Sequence, residues 1–259
     1  MQDYKNIVIG GDKSISHRIL IIGSLLDLRM KIKNLSLSFD VKNTIECLSL
    51  CGVIFSSDND TINIDKAEFS NPIKELNCGN SGTTARLLIG LLVNRGISAT
   101  ISGDHSLLNR PMDRIINPLK LMNSKINSNQ GHLPITIKKS KLLPINYDIS
   151  VPSAQVKSCL LLAGYQLNDH KIRDKYKTRN HTEIMFNYLA NFENNQISQY
   201  FIPSDISSAS FIIALSIIRK GLYIKIDNLL FNPTRTGFIN TLIKMNANIN
   251  IGNIKYMQG

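Results

Sequence analysis

Aromatic residues are scarce in this sequence, 7% of its 259 positions, and acidic residues number 19 against 30 Lys and Arg. The resulting net charge of +11 invites a nucleic-acid reading. Yet the lysines are scattered, and no stretch interleaves basic with aromatic side chains as RNA-binding surfaces do. An excess of Lys, Asn and Ile, as an AT-rich genome produces, accounts for most of the charge, and a site for small polyanions adds to it. No nucleic-acid partner is expected. Long apolar runs are also missing. The longest candidate, Phe211 to Ile218, falls far short of the ~18 residues that cross a bilayer. The first ten residues lack a basic segment followed by an apolar one, so no signal peptide is expected and the cytoplasm is the expected location. Only four cysteines occur, Cys47, Cys51, Cys78 and Cys159. None forms a CxxC pair or has a His at ligand spacing, so they read as reduced, packed thiols. There is no metal-binding cluster and no Ser/His/Asp triad to argue for, and no cofactor is expected.

What is present is a core. Hydrophobic residues make up 43% of the chain, enough for one large domain or two ordinary ones. Helical periodicity predicts helices over 14–28, 41–50, 82–94, 112–122, 155–165, 182–190, 208–218 and 236–245. Short β-type runs predict strands over 4–9, 30–35, 61–64, 98–101, 135–137, 199–202 and 222–226. This mixture is that of an α/β or α+β protein. One internal echo stands out: GDKSISHRILIIGSLL at 11–26 resembles PSDISSASFIIALSII at 203–218. Two copies of one strand–Asp–Ser–helix device suggest two related domains.

Five stretches carry chemistry. Gly11-Asp12-Lys13-Ser14-Ile15-Ser16-His17-Arg18 opens a helix, where free N–H groups attract anions, Lys13 adds a mobile charge and Arg18 could grip a carboxylate. The plainer alternative is a capped helix with solvated Lys and Arg. Asn77 to Arg86 is a second glycine-rich turn feeding a helix, with Asn80, Gly82, Thr83 and Arg86 as candidates. It lacks the GK[ST] ending of a P-loop, so ATP binding is not supported. In GDHSLLNRPM at 103–112, Arg110 precedes Pro111 and is therefore held in an extended or turn conformation at a helix entrance. In VPSAQVKS at 151–158, Ser153 reads as an N-cap, which leaves Gln155 and Lys157 without an explanation. In TRNHTE at 178–183, Asn180 could cap a helix and leave Arg179 free for phosphate, while His181 reads as structural.

Taken together and in order, GDKSISHR, NSGTTARL, GDHSLLNRPM, VPSAQVKS, RNHTE and NPTRTG resemble the 3-phosphoshikimate 1-carboxyvinyltransferase (EPSP synthase) family. The resemblance spans nearly the whole chain. It implies two domains of repeated βαβαββ units with substrates in the cleft between them. The first domain would cover 12–204; residues 1–11 and 205–259 would belong to a second, incomplete domain whose catalytic acids and bases lie beyond residue 259. It further implies transfer of enolpyruvyl from phosphoenolpyruvate to the 5-hydroxyl of shikimate 3-phosphate, by a monomer without membrane partners. By position, Lys13 would touch both substrates and is the retained catalytic candidate. Ser14, Arg18, Ser153, Ala154, Gln155 and Arg179 would hold shikimate 3-phosphate. Gly82, Arg110 and Gln155 would hold phosphoenolpyruvate, whose site the herbicide glyphosate occupies in this family. Two alternatives accompany this reading: a fragment that binds ligand without turnover, and the sister family acting on UDP-N-acetylglucosamine. GDKSISHR and RPM favour shikimate 3-phosphate over the latter.

Overall fold

Asp12 starts the first helix, its carboxylate accepting from the backbone N–H of Ile15 at 2.9 Å. The computed structural model describes residues 4–192 and 197–255. It begins with β1 (Lys5–Ile7), α1 (Lys13–Leu25), β2 (Met30–Lys33), α2 (Phe39–Leu50), β3 (Val53–Asp58) and β4 (Thr61–Ala67). Then follow β5 (Leu76–Asn77), α3 (Gly82–Arg95), β6 (Ala99–Ser102), α4 (His105–Leu108), α5 (Asp113–Leu121), β7 (Lys125–Asn129) and β8 (His132–Lys138). The rest comprises β9 (Asn146–Asp148), α6 (Ala154–Ala163), β10 (Lys171–Arg173), α7 (His181–Leu189), β11 (Ser198–Phe201), α8 (Ile206–Ile218), β12 (Ile224–Ile226) and α9 (Gly237–Lys244). The protein is a mixed α/β fold, as the alternation of runs implies.

Two four-stranded sheets repeat one plan. The first runs β11-β2-β4-β3 and the second β5-β6-β8-β7. In each, one parallel pair is extended by an antiparallel hairpin. Residues 76–138 thus form a complete βαβαββ unit, with β5, α3, β6, α5, β7 and β8 in order and the short α4 inserted before α5. In the unit around 30–67 the leading strand is supplied from afar by β11, which pairs parallel to β2. A further βαβ crossover joins β9 to β10 through α6. In β2, Met30 and Ile32 face the core while Lys31 and Lys33 face solvent, the period-two pattern of a half-buried strand.

Helices fill the space between the sheets. Ile19, Leu20, Ile21 and Ile22 of α1 have no exposed surface, so this helix is packed all round. Helix α3 lies closely on α6, and Gly90 makes that approach possible: a methyl group there would sit 2.4 Å from the carbonyl oxygen of Cys159. All four cysteines are free and buried, as their spacing implies.

The chain crosses itself near the site. Gly11 and Ser204 form an antiparallel bridge, with the Asp12 N–H donating to Pro203 O at 2.8 Å and that of Asp205 to Gly10 O at 2.9 Å. Helices α1 and α8 therefore start side by side, each capped by its own Asp. Beyond the crossing, β1 pairs parallel with β12.

Several elements differ from the sequence expectation. Helix α1 stops at Leu25 rather than Leu28, because Asp27 turns the chain through a left-handed conformation at φ 52°. Strands β3, β5, β7, β9 and β10 and helix α4 are additions to the expected elements. Asn180 precedes α7 without a side-chain cap bond; its Oδ1 accepts instead from Asn232 Nδ2 at 2.9 Å.

Candidate functional site

Three helix starts carry the expected residues, and each is capped by a side chain that satisfies one N–H while leaving others of the first turn available. Asp12 caps α1, Ser81 accepts from Thr84 N at 3.1 Å for α3, and Ser153 accepts from Val156 N at 3.3 Å for α6. A shared polar chain ties α1, α2 and α3 together. His17 Nδ1 meets Thr44 Oγ1 at 2.8 Å, Thr44 meets Thr84 at 2.8 Å, and Thr84 donates to Ser81 Oγ at 2.7 Å. Burial, seconded by the Arg18 charge, lowers the pKa of His17 to about 3, so it is neutral in the working range.

Arg18 is the most telling side chain. It is buried, and no carboxylate pairs with it among the described residues. Its Nε donates to Thr182 Oγ1 at 2.9 Å, Nη1 to Ser14 O at 3.0 Å and Nη2 to Ser158 Oγ at 3.0 Å. Burial lowers its pKa to about 10, against the opposing pull of Asp12 and Glu183, so it stays charged at neutral pH. A buried cation whose partners are all neutral oxygens is costly, and an anionic ligand would relieve that cost.

A second group surrounds the start of α3. Arg86 Nη1 donates to Gln155 Oε1 at 2.7 Å, and Nη2 to Pro111 O at 3.2 Å. Gln155 Nε2 in turn donates to Thr83 Oγ1 at 2.9 Å, so the starts of α3 and α6 are joined side chain to side chain. Arg110 Nη2 bonds Asn80 Oδ1 and lies 3.4 Å from Ser106 Oγ. Burial and the nearby Arg110 charge lower the pKa of Arg86. Gly82 sits beneath both guanidiniums. A methyl group on it would lie 2.7 Å from Arg86 Nη1 and 3.3 Å from Arg110 Nη1. The space over this glycine is thus bordered by two cations.

The remaining expected residues lie toward the crossover. Lys13 is exposed, its Nζ 2.7 Å from Asp40 Oδ2 and its backbone N–H 3.2 Å from Asp205 Oδ2. Arg179 is exposed and has no side-chain partner among the described residues. It shares with Arg235, Ser207, Ser210 and Thr234 the lining of an open cleft of about 500 Å³. Partial enclosure in that cleft and the Arg235 charge lower its pKa. The structure therefore joins Gly82, Arg86, Arg110 and Gln155 in one group, sets Arg18 against Ser158, Thr182 and the Ser14 carbonyl, and sets Arg179 on the crossover side.

Arg235 lies in the NPTRTG motif, yet its spacing alone gives it no role. Its side chain is 4% exposed, and its Nη1 is 3.0 Å from Asp12 Oδ2. Its Nη2 is 2.7 Å from Ser207 Oγ and 3.8 Å from Asp205 Oδ1. One arginine thus spans both capping aspartates of the repeated device. Burial raises the Asp12 pKa even though Arg235 opposes it. His181 Nδ1 meets Asn232 Nδ2 at 3.3 Å, and His181 is buried among cations with its pKa lowered to about 3, in keeping with a structural role. No group of three or more His, Cys, Asp or Glu among the described residues could hold a metal. No helix among them is long and apolar enough to cross a membrane.

Residues 4–258 match the EPSP synthase (3-phosphoshikimate 1-carboxyvinyltransferase) family. The 3-phosphoshikimate 1-carboxyvinyltransferase of Staphylococcus saprophyticus is 38% identical over 95% of this chain and 62% of its own. That of Caldicellulosiruptor bescii is 39% identical over 98% of this chain and 64% of its own. Among solved structures, EPSP synthase from Acinetobacter baumannii superposes with a TM-score of 0.88 at 31% identity, over 98% of this chain and 62% of that one. The chain spans 62–64% of the length of these relatives.

Proposed function

Because the chain belongs to the EPSP synthase family, we propose that it serves the transfer of the enolpyruvyl group from phosphoenolpyruvate to the 5-hydroxyl of shikimate 3-phosphate, releasing phosphate. The observation that carries this reading is the concentration of unneutralised positive charge at helix starts. Arg18, Arg86, Arg110 and Arg179 pair with no carboxylate among the described residues, and both proposed substrates bear a phosphate and a carboxylate. Ser14, Arg18, Ser153, Ala154 and Arg179 are the proposed shikimate 3-phosphate ligands. Gly82 and Arg110 are the proposed phosphoenolpyruvate ligands, and Gln155 serves both. Asn80, Thr83 and Arg86 complete the phosphoenolpyruvate side.

In the proposed reaction the methylene carbon of phosphoenolpyruvate gains a proton and the shikimate hydroxyl attacks the adjacent carbon. The tetrahedral adduct then expels phosphate. Lys13, half-exposed and with its Nζ paired to Asp40, would offset charge on both substrates and is the candidate proton-transfer group here. The proposed organisation has a first domain over 12–204, with 1–11 and 205–259 belonging to a second; the pairing of β1 with β12 supports that division. The proposed form is a monomer in the cytoplasm.

Calorimetric titration with shikimate 3-phosphate tests the reading. Arg18→Ala is expected to weaken binding about 10-fold or more, since a hydrogen bond to a charged group contributes roughly 1.5–3 kcal/mol. Unchanged affinity would remove Arg18 from the site. In the protein that turns over, Lys13→Met is expected to lower kcat as well as raise KM. Gly82→Ala should raise the glyphosate inhibition constant more than the KM for phosphoenolpyruvate, because the methyl crowds the longer ligand by a built-in clash. Equal shifts in both constants would rule out selection at Gly82.

A further inference from the structure

Capping accounts for Ser153 at the start of α6 but not for Lys157, one turn on. Lys157 is 5% exposed, and its Nζ collects three acceptors from two other segments. Asp174 Oδ2 lies at 3.0 Å, Thr178 O at 3.3 Å and Glu183 Oε1 at 2.7 Å. Asp174 and Thr178 mark the two ends of a short strap that delivers the chain from β10 to α7, and Arg179 is its next residue. The strap is also closed on itself. Asp174 Oδ2 accepts from Thr178 N at 2.9 Å and from Thr178 Oγ1 at 2.5 Å, while Asp174 Oδ1 accepts from Tyr176 N at 3.0 Å. Lys177 takes a left-handed conformation at φ 51°, which a lysine adopts uncommonly. Tyr176 Oη adds an outer tie to Ser150 O at 2.8 Å.

A buried lysine–carboxylate pair is a poor way to gain stability, since apolar residues of similar volume often do as well or better. Its usefulness lies in fixing geometry. Arg179, the cation that follows the strap, lines the same cleft as Arg235, whose like charge opposes it while Asp12 and Asp205 attract it. Among the described residues no side chain anchors it against these opposed pulls, and a rigid backbone supplies the anchor.

We propose that Asp174 and Lys157 are positioning residues: they clamp the strap at 174–178 so that Arg179 is presented to the phosphate of the bound ligand. The inference rests on the reading of Arg179 as a phosphate ligand, and the experiment separates the two. Asp174→Ala removes the strap's internal closure and its carboxylate tie to Lys157, while Lys157 keeps Glu183 and Thr178 O, so α6 and α7 stay joined. Shikimate 3-phosphate is titrated by calorimetry into the 259-residue protein and into Asp174→Ala, Arg179→Ala and the double variant. Arg179→Ala is expected to bind about 10-fold more weakly, and Asp174→Ala about 5-fold more weakly. The double variant should bind no more weakly than Arg179→Ala alone, because the strap acts only through Arg179. Asp174→Asn, which keeps an acceptor for Thr178, should recover most of the parent affinity. In an Arg18→Ala background the Asp174→Ala effect should persist in full. Parent-like binding by Asp174→Ala beside a weakened Arg179→Ala overturns the proposal, and so does a double variant weaker by the product of the two effects. Should Arg179→Ala bind like the parent, the phosphate reading of Arg179 falls. The clamp is then decided by ¹⁵N relaxation of the Arg179 Nε–H: Asp174→Ala must lower its order parameter toward the flexible range, below about 0.6, and an unchanged value overturns it. The same relaxation measurement on Asp174→Asn decides the matter if Asp174→Ala fails to fold.

Discussion

Helices α1 and α8 are the same device in two settings. Both have thirteen residues, both follow a capping Asp, and both run Ser-rich into an apolar stretch. In α1 every residue from Ile15 to Leu25 is buried; in α8 only Ile206 and Ala209 are. Phe211 is 78% exposed and Ile218 82%. The sequences do not explain the contrast, for α8 is the more uniformly apolar of the two. The neighbours do: α1 packs against α2, α3 and α7, while the main contact of α8 is β12. A helix apolar on every face announces burial, but the surroundings decide whether burial is reached.

The sharpest test compares truncations. Leu20→Ala in α1 is expected to cost about 2–5 kcal/mol in urea unfolding, whereas Phe211→Ala in α8 should stay within about 0.5 kcal/mol. A Phe211→Ala loss as large as that of Leu20→Ala would mean that the α8 face is covered in solution. The next test is pH. All five histidines precede residue 182, and the two whose pKa is lowered to about 3 by burial, His17 and His181, belong with α1 and with the start of α7 that rests against it. The unfolded chain protonates them near pH 6.5 and the folded one does not. Stability is therefore fully present above 6.5 and lost as pH falls toward 3, by up to roughly 1.4 kcal/mol per pH unit for each histidine. His17→Asn should flatten the slope measured between pH 6.5 and 5. Asp12 runs the other way. Its raised pKa means that stability is lost as pH climbs from the ordinary carboxylate value to the raised one, and Asp12→Asn should remove that opposing contribution.

The glycines give a smaller contrast. Gly90→Ala should cost about 1–3 kcal/mol by forcing α3 away from α6. At Gly237 a methyl group would meet nothing within 4 Å, so this position should accept Ala with a gain of up to about 0.4–1 kcal/mol. Thermal unfolding of both variants checks the sign at each site.

Much of the fold is legible in the residue pattern, and what is not has a common cause. Long periodic segments such as α1, α3 and α8 are evident because their signal is local. Strands β5, β9 and β10, of two or three residues, exist only through pairing with distant partners, as Lys171 with Asn146. Strands β3 and β7 are edge strands with short apolar stretches, and polar residues such as Ser56, Ser57 and Asn127 hide them from a hydrophobicity reading. The site divides the same way. Capping serines, glycines and arginines stand out by their spacing. Their partners do not: Asp12 meets Arg235 across 223 positions and Arg18 meets Thr182 across 164. Gly82 by itself promises open room, and the fold borders that room with the flexible ends of Arg86 and Arg110.

The crossing of the chain beside Gly11 and Ser204 has a further consequence. The Asp12 N–H and the Pro203 carbonyl are 2.8 Å apart, so the long stretch between them begins and ends at one point in space. A polypeptide whose ends adjoin can be re-opened elsewhere. Its termini can be joined by a few residues and new ones cut in a surface turn, such as the one at Asn59-Asp60 between β3 and β4. The order in which the ribosome delivers residues 12–203 is then expected to be a matter of history: a chain that starts at the other side of that turn should show the circular dichroism spectrum of the parent order.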